Sequence, residues 1–506
     1  MEQTEFGISD KTKIATLSRQ DLEQKYQLIA DELARVVKEN YQLRDQKITD
    51  EQLHLILSEQ LGELQNTLFG ASSERYKKPE DKKKKSEPPK PRIKQPSERY
   101  PNIPVREELV AFDGAPLCDA CGKLMQDSGM TEESEQLTVI PKRFEIVRLI
   151  RPKFRCSCQA CIKTPALPPR IIPGSSYSDE MILDVALSKY CDLIPIERYV
   201  QMAARGGLMN LPPQSLIELT HTLAAFVNPV YELIKSEVMQ SRVLNADETP
   251  HKMLEGSSTK SWYLWGFSTP ELCFLECHDT RSGDVASNIL LKSKCEVLVS
   301  DVFSGYGRAI KISNVSRANE GKALIKNANC NAHARRYFFK PRLLYKEAEF
   351  YLEHYHQIYQ LNSEAKGKSP DVILELRQQM RPHFEAMKNR ALQELPRYPN
   401  QNKYRKALSY FLENYQCLTL FLDQFDVPID NNAQERVFRS HVVGRKTWYG
   451  THSERGAETA AILFSIVETC KLLSINPRIY FANLVKDLLA GKNPYTPKSF
   501  NDLTEI

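Results

Sequence analysis

Val243-Leu244-Asn245-Ala246-Asp247-Glu248-Thr249 is a short apolar run that closes on two acids, and its reading decides the fold. Val243 to Ala246 reads as a strand ending at Asp247. Ser261 to Thr269 and Leu272 to Thr280 read as two more strands, joined at Pro270-Glu271. Gly283 to Leu291 reads as a helix, Cys295 to Ser300 as an apolar strand ending at Asp301, and Lys322 to Ala328 as a fifth strand after a second helix. If the first and fourth strands are neighbours, Asp247 and Asp301 project from adjacent strand ends.

The order then stops and resumes. From His333 to about Phe425 the pattern is helical, with Lys and Glu on the polar faces. Asp430-Asn431-Asn432-Ala433-Gln434-Glu435-Arg436 then opens a new helix. One of Asp430, Asn431 or Asn432 is expected to cap it, which places Glu435 in or near the first turn, able to reach back toward the strand ends. The β-β-β-α-β-α-β order predicts an α/β ribonuclease-H-like catalytic core over 242–465, with an all-helical insertion at about 333–425 and a helical region at 466–506.

The flanking segments have their own signatures. The chain has 506 residues, 41% hydrophobic and 26% charged, enough for several domains. No run of 18 apolar residues occurs, and Met1 to Asp10 lacks a cationic flank followed by an apolar core, so neither a membrane span nor a signal peptide is read. The expected compartment is the cytoplasm. Within 1–75, apolar residues recur at heptad d positions (Leu22, Ile29, Val36, Leu43, Leu57, Leu64) and a positions (Tyr26, Leu33, Leu61, Leu68), the seam of a self-associating coiled coil. An amphipathic helix folding back on its own domain is the alternative. Over 76–105 lies a basic Pro/Lys-rich linker, since Arg75 to Lys94 carries ten Lys or Arg against three acids and cannot bury a core.

Five of the twelve cysteines crowd into a zinc-binding region at 106–172. Cys118 and Cys121 with Cys158 and Cys161 supply four thiolates for a structural Zn²⁺, and spacing alone leaves Cys156 as an alternative to Cys158. Gln136 to Phe154 alternates as a ribbon hairpin would. Residues 173–241 read as helices broken near Asp192-Leu193-Ile194-Pro195 and Gly206-Gly207. A helix-turn-helix that binds DNA has this outline, with generic helical packing as its competitor. Cys330 and His333 have a metal-like spacing, but two ligands make a poor site, so capping or packing is the expected role.

Together these residues carry a resemblance. Leu68-Phe69-Gly70 with Ser73-Glu74, the two cysteine clusters, Ser188-Lys189-Tyr190, Ala246-Asp247-Glu248-Thr249-Pro250, Tyr263-Leu264-Trp265, Ala332-His333-Ala334-Arg335-Arg336, Asp430-Asn431-Asn432 with Glu435-Arg436, and Gly444-Arg445-Lys446 occur in one order. The chain is similar over nearly its whole length to the insertion sequence 66 family of bacterial transposases (TnpC-type). That resemblance implies a DDE transposase with Asp247, Asp301 and Glu435 as the triad, and it admits helper proteins of the same element as partners. It departs at three places: Asp301-Val302-Phe303-Ser304-Gly305-Tyr306 stands where the family has Asp-Gly-Tyr, Asn245 replaces the usual His, and Asn331 the usual Trp.

Three carboxylates suit Mg²⁺ (or Mn²⁺) and two-metal phosphoryl transfer, in which element ends are cut and the 3′-hydroxyl joins target DNA. Such chemistry needs both ends held together, a task for the coiled coil. Arg436, Arg439, Arg445 and Lys446, beside Trp448 and Tyr449, form a basic and aromatic stretch for DNA, although a solvated helix face reads equally well. Two other classes compete: a purely hydrolytic ribonuclease-H-like nuclease and a catalytically inactive, transposase-derived DNA-binding protein.

Overall fold

The computed structural model describes residues 35–36, 95–101, 103–108, 123–124, 134–139, 142–155, 162–255 and 261–504. The coiled-coil seam, except for helical residues 35–36, and all five clustered cysteines lie outside them. The chain divides into two compact units, 71–148 and the remainder. In the smaller unit, a helical turn Pro96–Arg99 is pinned when Ser97 donates through its backbone N–H and its hydroxyl to the Glu135 carboxylate, at 2.8 and 2.7 Å.

The larger unit is built on a five-stranded mixed sheet. Its strands are β1 (Val243–Lys252), β2 (Ser261–Ser268), β3 (Cys273–His278), β4 (Val297–Ser300) and β5 (Lys326–Asn329), in the spatial order β3-β2-β1-β4-β5. The first three strands form an antiparallel meander, whereas β1, β4 and β5 run parallel. Parallel neighbours need crossovers, and helices supply the connections within β3-to-β5: α4 (Gly283–Lys292) before β4 and α5 (Ser304–Asn319) after it.

Two expectations about these strands change. β1 does not end at Asp247 but continues to Lys252, because β2 is long enough to pair with it from Asn245 to Lys252, whereas β4 pairs only from Val243 to Asn245. Beyond Asn245 one side of β1 is therefore an edge, where Pro250 is tolerated. The fifth strand starts later than Lys322, since the backbone turns after α5 and joins the ladder only at Lys326.

The helices α1 (Asp179–Tyr190), α2 (Ile196–Arg205) and α3 (Pro213–Met239) lead into the sheet. Packing is what α3 encodes, with Leu216, Leu223, Val227, Val230, Ile234 and Val238 fully buried at helical spacing. Its Tyr231 hydroxyl donates to the Leu275 carbonyl of β3 at 3.0 Å, which fixes it to the sheet. Within Gln136 to Phe154 the described residues before Phe154 form no strand; a two-residue ladder pairs Phe154–Arg155 with Ile162–Lys163. Alternation needs a face to bury against, and Val139, Ile146 and Ile150 are exposed.

Helices α6 (Asn331–Phe339), α7 (Ala348–Glu364), α8 (Pro370–Glu394), α9 (Lys403–Glu413) and α10 (Tyr415–Thr419) fill the stretch between β5 and the Asp430 segment. Their core is aromatic: Phe338 stacks on Tyr351 at 4.2 Å, and Tyr404, Phe411, Phe384 and Phe421 close around them. Val297, Val299 and Ala328 of β4 and β5 belong to the same buried cluster, so this helical block leans directly on the sheet. Inside it the buried Glu394 carboxylate accepts from Tyr351 and Tyr404 at 3.0 and 2.6 Å, and Arg390 neutralises it.

The chain returns through α11 (Asn432–Trp448), α12 (Glu454–Leu472), α13 (Pro477–Leu489) and α14 (Pro497–Thr504). α12 is buried almost throughout and packs on β3 and α3. α11 approaches β2 so closely that only glycine fits at Gly266: a Cβ there would lie 2.2 Å from Gln434 Nε2 and 2.7 Å from the Phe438 ring. Gly307 in α5 has open space instead. Gly266→Ala is therefore expected to destabilise by about 1–3 kcal/mol through overpacking, whereas Gly307→Ala stabilises by roughly 0.5–1 kcal/mol through helix propensity. Thermal denaturation of both variants checks the pair, and equal shifts would refute the close approach of α11.

Candidate active site

Asn431, at the head of α11, is where the site is assembled. Its side chain accepts from Asn245 Nδ2 at 2.8 Å and donates to the Ala246 carbonyl at 2.8 Å, while its backbone N–H donates to Cys330 Sγ at 3.2 Å. An N-cap side chain was expected to serve its own helix, but Asn431 makes no capping bond. It serves β1 instead, because a buried strand carbonyl and amide leave no other partner in reach. Asp430 takes the local role, accepting from the Asn432 backbone at 3.1 Å and from the Tyr359 hydroxyl at 3.0 Å. Asn245 and Asn331, two of the three departures from the family pattern, both work here. Asn331 donates to the carbonyls of Leu418 and Ile429 at 2.9 and 3.0 Å, and so fixes the approach to Asp430.

Two further ties hold α11 along β1. His251 Nδ1 lies 2.9 Å from His441 Nε2, and burial depresses both rings, His251 to about 4, so that both are neutral near pH 7. Arg445 donates to Thr249 Oγ1 at 3.1 Å and to the Pro250 carbonyl. One guanidinium nitrogen, Nη1, makes both bonds, and the side chain remains half-buried. Arg436, Arg439 and Lys446 are exposed at helical spacing on α11.

Along β1 the two adjacent acids have opposite surroundings. Glu248 accepts from Arg281 at 2.9 and 2.6 Å and from the Tyr306 hydroxyl at 2.6 Å. Arg281 also lies over the Phe303 ring at 4.2 Å. Successive strand residues face opposite sides, so Asp247 is outside this clamp. Its carboxylate accepts from the Glu248 N–H at 2.9 Å. Burial first, then the charges of Glu248, Asp301 and Glu435, push Asp247 up to about 8. Asp301 directly follows β4 and accepts from the Phe303 N–H at 3.0 Å, so the loop remains ordered without the family's glycine. Glu435 is in the first turn of α11, and its Oε1 is buried without a hydrogen-bond partner.

The charges of Asp301 and Glu435 thus both reach Asp247 and help to raise its pKa. Clustered carboxylates with an unpartnered buried oxygen fit hard divalent cations, which neutralise the repulsion. Arg281 and Tyr306 as the clamp on Glu248, and Asn431 as a bridge, carried no signal in the sequence, because each partner is remote in the chain.

Comparison with known proteins agrees with this architecture. Residues 174–459 match the Transposase IS66 family, and residues 116–159 match the zinc-finger binding domain of transposase IS66. The chain belongs to the IS66 transposase family. Its zinc-finger match includes Cys118, Cys121, Cys156 and Cys158 and stops short of Cys161. Relatives in Sinorhizobium fredii (strain NBRC 101917 / NGR234) include the uncharacterized proteins y4hP, 24% identical over 75% of this chain and 72% of its own, and y4jD, 25% identical over 76% and 77%.

The raised Asp247 has a consequence for stability. An unfolded Asp ionises near 4, so between that value and about 8 the unfolded state loses its proton first. Stability in chelator is present in full below the unfolded value and is lost as pH rises to about 8. Asp247→Asn removes the penalty, and its denaturation midpoint should exceed the parent's by a margin that grows from pH 5 to 8. A constant margin across that range would contradict the buried, like-charged surroundings of Asp247.

Proposed function

We propose that this chain is the DNA transposase of a bacterial insertion sequence, acting in the cytoplasm to cleave element ends and join the freed 3′-hydroxyl to target DNA. The observation that carries the reading is that the charges of Asp301, at the end of β4, and Glu435, in the first turn of α11, both act on the buried Asp247 of β1. The strand order β3-β2-β1-β4-β5, with β1 and β4 parallel neighbours, supports a ribonuclease-H-like core.

Asp247, Asp301 and Glu435 are the residues that would hold Mg²⁺ or Mn²⁺. When bound, such ions activate the attacking oxygen and stabilise the leaving one in phosphodiester exchange. Asp247 would give up its proton on taking a ligand role, since its elevated pKa arises from burial and like charge that a cation would offset. Glu248 stays with Arg281 and Tyr306, which keeps the β1 backbone at Asp247 in register. Asn431 ties the start of α11, which carries Glu435, to β1 at Asn245 and Ala246. Arg436, Arg439 and Lys446 would lie along the DNA backbone, the cysteine-rich region would hold structural Zn²⁺, and the N-terminal heptads would pair two copies for synapsis. Helper proteins of the same element are its further partners in this reading.

The test uses a donor duplex carrying the ends of the DNA segment that encodes the chain, with Mg²⁺. Asp247→Ala, Asp301→Ala and Glu435→Ala should each lower strand nicking and end joining by about 10³-fold, a barrier change of about 4 kcal/mol. Nicking that survives all three would sink the assignment, and nicking without joining would favour a hydrolytic nuclease. Binding gives a separate check: replacing Arg436, Arg439 and Lys446 by Ala should flatten the salt dependence of DNA affinity by about 0.9 log units per lost contact. An unchanged slope would place the DNA elsewhere.

A further inference from the structure

Cys330 ends the parallel edge of the sheet. Its backbone N–H donates to the Ser300 carbonyl at 3.0 Å, immediately before Asp301, and the buried sulfur accepts from Asn431 at 3.2 Å. His333 follows in the first turn of α6, and the fold brings Glu435 of α11 to both. Ligand atoms of Cys330, His333 and Glu435 all lie within 4.8 Å of one another. The spacing of Cys330 and His333 alone supplied two ligands; the third arrives from a separate element.

His333 Nε2 stands 3.8 Å from Glu435 Oε1, beyond hydrogen-bonding range. Two ligand bonds of about 2.1 Å that share one ion at a tetrahedral or wider angle span about that distance. Glu435 Oε1 and His333 Nδ1 are buried without hydrogen-bond partners among the described residues, so neither side chain is satisfied by protein. Both residues remain partly exposed, which leaves a route for an ion and for a water as fourth ligand.

We propose that Cys330, His333 and Glu435 form a binding site for a borderline-soft divalent cation, Zn²⁺, separate from the cysteine-rich region. One sulfur, one imidazole and one carboxylate select Zn²⁺ over Mg²⁺, because Mg²⁺ prefers oxygen alone. The thiol proton leaves when the ion binds, as coordination deprotonates cysteine. An ion held there occupies Glu435, so zinc and magnesium compete for one carboxylate. That consequence alone rests on the proposed function, whereas the binding claim does not.

The probe is Co²⁺, added to the full-length chain after a moderate-affinity chelator has left only its most tightly held zinc. The expected result is a saturable visible d–d absorption of tetrahedral intensity with a near-ultraviolet thiolate charge-transfer band, at one equivalent of Co²⁺. Cys330→Ser should remove the charge-transfer band, and His333→Gln, at a partly exposed position, should weaken binding at least about tenfold. Zn²⁺ should displace the Co²⁺. Absence of a saturable thiolate band in the parent overturns the site, as do spectra that neither substitution alters, which would put the cobalt among the clustered cysteines. Since no DNA is present, failure here is distinguishable from failure of the transposase reading.

Discussion

The hydrogen bonds of Asn431 are the constraint on which the rest of the larger unit depends. Its amide joins Asn245, 186 positions earlier, and the Ala246 carbonyl, while its backbone reaches Cys330. A buried amide of this kind must be satisfied or it costs about 1–3 kcal/mol for each orphaned group. The long helical block can therefore be inserted without loosening the site. Its aromatic core is continuous with β4 and β5, and the chain leaves and re-enters at Asn331 and Asn431, which are themselves hydrogen-bonded to neighbouring segments. The closure is rigid because the ties repeat along α11, at Asn431, His441 and Arg445 in turn.

That rigidity holds an arrangement the protein would otherwise reject. Buried carboxylates repel, and a fold left to minimise energy would pair them or expose them. Glu248 is paired, with Arg281 and Tyr306 as its partners. Asp247 is not, and it carries the cost as a raised pKa. Two adjacent residues on one strand thus divide the labour: Glu248 holds the strand, and Asp247 keeps its proton until something offsets the surrounding negative charge. Unpartnered polar atoms in a site are a strain reservoir that a cation can release, and Glu435 Oε1 and His333 Nδ1 extend the pattern.

Much of this was legible from residue patterns, and the limits have physical causes. Helices and strands of the core follow local periodicity, so α4, β2, β3 and β4 fall close to where apolar spacing puts them. Asp301 after β4 and Glu435 in the first turn of α11 stand where strand-end and helix-start signals put them. Strand length was not: β1 passes through Asp247 because β2 pairs with it, and pairing is a tertiary fact. Nor was the fate of Arg445, since a basic residue near a helix end looks the same whether it meets phosphate or the Pro250 carbonyl. Asn245 and Asn331 read as departures from a family pattern, and became supports only when their partners were in place.

The central claim is that β1, the end of β4 and the head of α11 build one cation-binding carboxylate cluster. Electron paramagnetic resonance measures it directly, by counting Mn²⁺ removed from its free hydrated form as metal is added to the protein in the absence of DNA. The account predicts that Asp247→Asn and Glu435→Gln, far apart in sequence, each abolish the same bound ion, and that the double variant loses nothing more. Retention of that ion in Glu435→Gln, or losses that add independently in the double variant, would contradict it.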